Sequence, residues 1–89
     1  MKQKKVAIIM GSRSDLAEVE KTAKVLSDLG IEYEMHIISA HRTPDTASEF
    51  AKRAEAEGFD VIIAAAGKAA HLAGVMAAGT VLPVIGIPM

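Results

Sequence analysis

Residues 39–44 read Ser-Ala-His-Arg-Thr-Pro and stand between an apolar strand pattern and a helix pattern. In an open α/β sheet, ligands bind at that kind of junction, outside the carboxyl ends of the strands. His41 could move a proton near neutral pH. Arg42 could hold a phosphate through two parallel hydrogen bonds. Ser39 offers a hydroxyl donor. Two more junctions carry comparable residues: Gly11-Ser12-Arg13-Ser14-Asp15 and Gly67-Lys68-Ala69-Ala70-His71-Leu72. Three such turns at one sheet edge point to a ligand site.

Each turn also has a plain structural reading. Gly11 permits a tight turn, and a helix start offers free N–H groups to an anion. Ser12 and Ser14 add hydroxyls, but the segment is neither a Walker loop nor the dinucleotide fingerprint. Helix capping by Ser14 or Asp15 explains those two residues equally well. Asp15 is a poor neighbour for phosphate and suits ribose hydroxyls or a protonated group better. Ser39 to Arg42 can be read as a polar loop leading into a capped helix. Gly67 and Ala70 let backbone approach a flat ligand, and His71 either touches that ligand or sits as a satisfied polar residue one turn into a helix. His36 reads as structural, on a solvent-facing strand position. No Asp/Glu/His cluster has metal-ligand spacing, so no metal is expected.

The elements that must position these residues follow from periodicity. Val6 to Met10 and Val61 to Ala66 are unbroken apolar runs, which read as strands buried on both faces. Tyr33, Met35 and Ile37 alternate with Glu32, Glu34 and His36, the pattern of an edge strand with one wet face. Pro83 to Ile87 reads as a fourth strand. A helix is expected over Asp15–Leu29, with Leu16, Val19, Ala23 and Leu26 inward and Gly30 as its stop. A second starts at Thr43 and Pro44 and runs to about Glu57, with Ala47, Phe50, Ala51 and Ala54 inward and Gly58 closing it. A third, Ala69 to Ala78, has almost no polar face and is expected to be buried on all sides. The order β-α-β-α-β-α-β with short connections implies a parallel sheet with right-handed crossovers. The fold class is α/β, a three-layer flavodoxin-like or Rossmann-like sheet in spatial order 2-1-3-4, ending after the fourth strand.

Bulk composition narrows the function classes. At 89 residues the chain is one domain at most, and a core this small is marginal without help. Net charge is −1, which gives no reason to expect nucleic acid or an anionic membrane as partner. There is no cysteine, so disulfides and thiolate metal sites are excluded. A cytoplasmic setting fits. The apolar run after the basic start is too short for a signal peptide core or a membrane span. Half the residues are apolar but only 3% are aromatic, so the core is aliphatic. The sequence stops at Pro88-Met89, after a strand and before any helix that could cover it. It is therefore expected to be part of a longer fold, or to take its cover from other chains.

Four segments together, Met10-Gly-Ser-Arg-Ser-Asp15, Ser39-Ala-His-Arg-Thr-Pro-Asp45, Ala66-Gly-Lys-Ala-Ala-His-Leu72 and Leu82-Pro-Val-Ile-Gly-Ile-Pro88, resemble the N5-carboxyaminoimidazole ribonucleotide mutase (PurE) family of purine synthesis. The resemblance runs from Val6 to Met89 and is closer to the mutase class than to the class using free carbon dioxide. It implies an isomerase that moves a carboxylate from the exocyclic nitrogen of an aminoimidazole ribonucleotide to ring C4, with no cofactor. It implies that His41 is the acid/base, that Ser12, Ser14, Asp15 and Ser39 line the substrate, and that Arg42 holds the phosphate side. Gly67, Ala70, His71 and Leu72 match the loop around the base. It further implies homo-oligomers, octamers, in which neighbours complete each site, and a second half that this chain lacks. Ala65, Lys68 and Ala73 stand where many relatives have Gly, Gly and Pro. The competing readings are a non-catalytic remnant that binds a ribonucleotide phosphate or serves assembly, a carboxylase using free carbon dioxide, and a generic flavodoxin-like module.

Overall fold

The computed structural model of the chain describes residues 5–38, 44–66 and 72–88. Four strands, β1 (Lys5–Met10), β2 (Glu32–Ile37), β3 (Val61–Ala66) and β4 (Val84–Pro88), pair in parallel in the order β2-β1-β3-β4. Three helices connect them: α1 (Leu16–Asp28), entered through a 3-10 turn at Arg13–Asp15, α2 (Pro44–Ala54) and α3 (Leu72–Gly79). Fold class, strand order and edge position of β2 are as the patterning indicates. No helix among the described residues is long and apolar enough to cross a membrane.

The central strand explains the sheet. Val6 to Met10 are all buried, and Ala7, Ile8 and Ile9 have no exposed surface. A strand buried on both faces tolerates no one-residue slip, because a slip moves every side chain to the opposite face. Its odd and even positions feed two separate cores. Ala7 and Ile9 pack with Ile62, Ala64, Phe50, Phe59, Leu72 and Met76 beneath α2 and α3. Val6, Ile8 and Met10 pack with Ile63, Ala65, Val19 and Ala23 beneath α1. The result is three layers, with α1 on one side of the sheet and α2 and α3 on the other.

α1 and α2 end by the same device. Gly30 has φ +74°, a left-handed conformation that glycine adopts without strain. Its N–H donates to the Ser27 carbonyl (3.0 Å) and the Ile31 N–H to the Leu26 carbonyl (2.9 Å), the bond pair of a Schellman cap. Gly58 closes α2 in the same way, with the Phe59 N–H donating to the Ala54 carbonyl at 3.0 Å. The regular part of α2 stops at Ala54, and the Glu57 N–H still bonds the Arg53 carbonyl (3.0 Å), so the expected end near Glu57 falls within this cap. The inward residues Ala47, Phe50, Ala51 and Ala54 are all buried.

Two expectations change. His36 is half-buried, not solvent-facing. It sits on the α2 side of β2, its ring 5.1 Å from that of Phe50 and its Nε2 3.2 Å from Glu34 Oε1. Conversely Met35 and Ile37, on the α1 side, stay 38% and 49% exposed, because α1 lies too far inward to cover the outer edge. α3 is not buried on all sides either. Leu72 and Met76 are enclosed, but Gly74, Ala77 and Ala78 are exposed, since the sheet and α2 cover only one side of it.

At the amino edge of the sheet, the Lys5 N–H donates to Asp60 Oδ2 (2.9 Å) and the Asp60 N–H to the Lys5 carbonyl (2.8 Å). Lys5 Nζ lies 2.8 Å from Glu34 Oε2 and 4.4 Å above the centre of the Phe59 ring. The hydrogen bond from Lys5 holds the Glu34 carboxyl below its ordinary value, and the same bond raises Lys5. A lowered carboxyl stabilises the fold above its unfolded value and stops doing so as pH falls through the folded one. A raised ammonium contributes below its unfolded value and ceases to as pH rises through the folded one.

Two measurements check this packing. The small difference in melting temperature between the native chain and Glu34→Gln should be present at neutral pH, close as pH falls through the carboxylate range, and shrink in high salt. A difference that persists in acid contradicts the ion pair. A Cβ at Gly79 would meet the Ala51 Cβ at 2.9 Å, whereas one at Gly74 meets nothing within 4 Å. In urea unfolding, Gly79→Ala should therefore lose about 1–3 kcal/mol. Gly74→Ala should gain about 0.5–1 kcal/mol, because alanine restricts the unfolded chain and favours helix. Equal effects would contradict the close approach of α3 to α2.

Candidate functional site

Parallel pairing levels the carboxyl ends of the strands. Met10 is in register with Ile37 of β2 on one side and Ala65 of β3 on the other, and Ala65 with Ile87 of β4. One further bond on each side extends the alignment past the strands. The Gly11 N–H donates to the Ala65 carbonyl (3.0 Å), and the Ile38 N–H to the Met10 carbonyl (2.9 Å). The chain therefore leaves β1, β2 and β3 at one level. The segments that follow in sequence are the three turns carrying Ser12 to Asp15, Ser39 to Arg42 and Gly67 to His71.

The first turn is described atom by atom. Ser12 has extended backbone (φ −153°, ψ 149°) and caps the 3-10 turn, its Oγ accepting from the Ser14 N–H at 3.2 Å. The Asp15 N–H donates to the Ser12 carbonyl (3.0 Å). The Ser12 and Ser14 hydroxyls lie 2.9 Å apart, and both residues are exposed. Asp15 precedes α1 without a capping bond from its side chain. The expected capping by Ser14 or Asp15 is therefore done by Ser12. The signal was present as Ser12-Arg-Ser-Asp15, a serine with an acid three residues on, which is the spacing of a capping box. The consequence is chemical: the partly buried Asp15 carboxylate makes no capping bond to α1. Two adjacent hydroxyls and a carboxylate at a helix start can address the hydroxyls of a sugar, and the N–H groups of the helix start favour an anion.

Leu72, the first residue of α3, is 1% exposed and packs within the core under α2. Its side chain faces the sheet, so any ligand contact there runs through backbone. Ser39, His41, Arg42, Gly67, Ala70 and His71 lie outside the described residues. An open cleft of about 370 Å³, lined by Lys52, Glu55, Gly79, Thr80 and Val81, lies at the carboxyl ends of α2 and α3. That is the opposite end of the sheet from Ser12, where the parallel fold places no strand ends for a ligand.

Comparison with known proteins gives a consistent result. A family model described as AIR carboxylase matches residues 5–89. An N5-carboxyaminoimidazole ribonucleotide mutase of Pyrococcus abyssi is 59% identical over 85 residues, covering 96% of this chain and 49% of that protein. A protein of the same name from Thermotoga maritima is 56% identical over 85 residues, 96% of this chain and 50% of that one. The crystal structure of Treponema denticola PurE superposes with a TM-score of 0.86 at 34% identity, over 98% of this chain and 56% of that chain. The chain spans about half the length of the curated relatives it matches.

The first turn makes a distinct stability prediction. Ser12→Ala should lower unfolding free energy by about 1 kcal/mol through loss of the cap. Asp15→Asn should cost about 0.5 kcal/mol or less, from the helix dipole alone. Urea midpoints in the reverse order would return the capping role to Asp15.

Proposed function

The chain belongs to the AIR carboxylase family, and from that premise we propose that it supplies the amino-terminal half of an N5-carboxyaminoimidazole ribonucleotide mutase site. The observation that carries this reading is the levelled sheet edge. Three chemistry-bearing turns follow strand ends held in register by Met10, Ala65 and Ile37, and relatives 59% and 56% identical over 96% of the chain carry that name.

The proposed roles are those the family resemblance implies, and residue chemistry is compatible with each. Arg42 pairs with the substrate phosphate. Asp15, Ser12 and Ser14 address the ribose and its surroundings, with Ser39 as a further donor. The loop of Gly67, Ala70, His71 and Leu72 encloses the flat base. In the reaction the carbamate N–C bond breaks and releases carbon dioxide within the closed pocket, while the exocyclic nitrogen takes a proton. Ring C4, made electron-rich by that amine, attacks the same carbon dioxide and forms the new C–C bond. C4 then bears both hydrogen and carboxylate and must lose the proton. His41 gives the first proton and takes the second, so the sequence is balanced with no cofactor. Exclusion of water keeps the carbon dioxide from escape, and its confinement beside C4 supplies the proximity contribution. The substrate is a small ribonucleotide, and we propose assembly into a homo-oligomer that completes the pocket.

The test is turnover by a chimera that joins this chain to the second half of the Pyrococcus abyssi relative. It should convert N5-carboxyaminoimidazole ribonucleotide to the C4-carboxylated product without added bicarbonate. His41→Asn should lower kcat by about 10²–10⁴-fold, the usual contribution of general acid–base catalysis. Native-like turnover by His41→Asn overturns the role of His41. Product formation only from the uncarboxylated ribonucleotide plus bicarbonate overturns the mutase in favour of a carboxylase.

A further inference from the structure

β4 carries a glycine among β-branched residues, in the run Val84-Ile85-Gly86-Ile87. Glycine weakens a strand interior and often marks a place where another backbone comes close. Gly86 is in register with Ala64, which lies in the core beneath α2 and α3. A Cβ built on Gly86 would meet the Ala73 Cβ at 3.1 Å. Ala73 stands in the first turn of α3. The helix is therefore seated on β4 where a methyl group is missing.

The contact is stiff on both sides. Gly86 is tied into the ladder with β3. The Ala73 methyl is fixed to its backbone and has no rotamer by which to move aside. A Cβ at position 86 is accommodated only if the first turn of α3 lifts by a few tenths of an ångström. α3 has a second close seat at its other end, where a Cβ on Gly79 would meet the Ala51 Cβ at 2.9 Å. The two seats differ in what lies beside them. Gly79 lines the cleft at the end of the sheet away from the ligand turns. Ala73 directly follows Leu72, where the chain returns to the sheet after the turn that begins at Gly67.

That turn has two anchors. One is Ala66, held by the strand ladder in register with Pro88. The other is Leu72, held by packing, 1% exposed beneath α2. The first anchor is fixed by backbone bonds, and the second stands at whatever height α3 takes above the sheet. We infer that Gly86 is a positioning residue for the ligand site. By carrying no side chain it sets the height of Leu72 and Ala73, and with it the place of the turn between β3 and α3. It acts through α3 and not by contact with a ligand. The inference rests on the proposed ribonucleotide site and adds to it a residue of β4.

The test is titration of the isotopically labelled 89-residue chain with the C4-carboxylated aminoimidazole ribonucleotide, read by amide chemical shifts. Gly86→Ala should shift the free-state amides of residues 72–76 and raise the dissociation constant about tenfold. A misplacement of about 1 Å costs an enzyme about 10²-fold, and this one is smaller. Combining Gly86→Ala with Ala73→Gly moves the methyl from helix to strand and removes the collision. The double variant should restore both the amide pattern and the affinity. Gly79→Ala, which crowds the far end of α3, should lower the melting temperature and leave the affinity native-like. If Gly86→Ala unfolds, the double variant decides: native affinity supports the role, and weaker affinity or failure to fold overturns it. Native affinity in a folded Gly86→Ala overturns the inference and leaves the ribonucleotide site standing. Equal weakening by Gly79→Ala overturns it as a local effect. A native chain that binds no ribonucleotide overturns the site itself, and the role of Gly86 with it.

Discussion

The two-sided burial of β1 is the constraint on which the rest depends. Ala7, Ile8 and Ile9 have no exposed surface, and each face of the strand belongs to a different core. Register against β2 and β3 is therefore specified to the residue, because a slip would exchange the contents of both cores. From that register follows the common level at which the chain leaves three strands. A site assembled from turns needs such a scaffold, because the turns alone do not determine where their side chains meet.

The two ends of the sheet divide the work. At the amino edge, Lys5, Glu34, Asp60 and Phe59 are engaged with one another in bonds that hold β1, β2 and β3 together. At the carboxyl edge, backbone bonds at Gly11 and Ile38 do the holding, and Ser12 caps the turn. Ser12 and Ser14 there stay exposed and Asp15 partly so, and Asp15 keeps its carboxylate clear of the cap. Polar groups that stabilise the fold and polar groups suited to a ligand thus occupy opposite ends of the same strands.

Much of this was legible in the residues. The unbroken apolar runs at Val6–Met10 and Val61–Ala66 mark strands enclosed on both faces. The spacing of Ala47, Phe50, Ala51 and Ala54 marks the buried side of α2, and the alternation at 32–37 marks an edge strand. What local pattern missed depends on tertiary position. His36 looked solvent-facing because alternation alone says which residues share a face, not which face a helix covers, and Phe50 supplies that cover. α3 looked enclosed because small apolar residues carry no sign of where packing stops. The cap went to Ser12 and not to Ser14 or Asp15 because a 3-10 turn precedes α1 and moves the helix entry back three residues. At the site, the sequence pointed to three turns, and the sheet shows that the strands preceding them end at one level.

The central claim is that the carboxyl edge of this sheet is where a ribonucleotide binds. The most direct measurement is a titration of the isotopically labelled chain with the C4-carboxylated aminoimidazole ribonucleotide, followed by amide chemical shifts in nuclear magnetic resonance. The account predicts saturable shifts centred on residues 11–16 and on the turns after β2 and β3, with none at Lys52, Glu55 or Thr80. Shifts confined to Lys52, Glu55 and Thr80, or no shifts at saturating ligand in the folded chain, would contradict it.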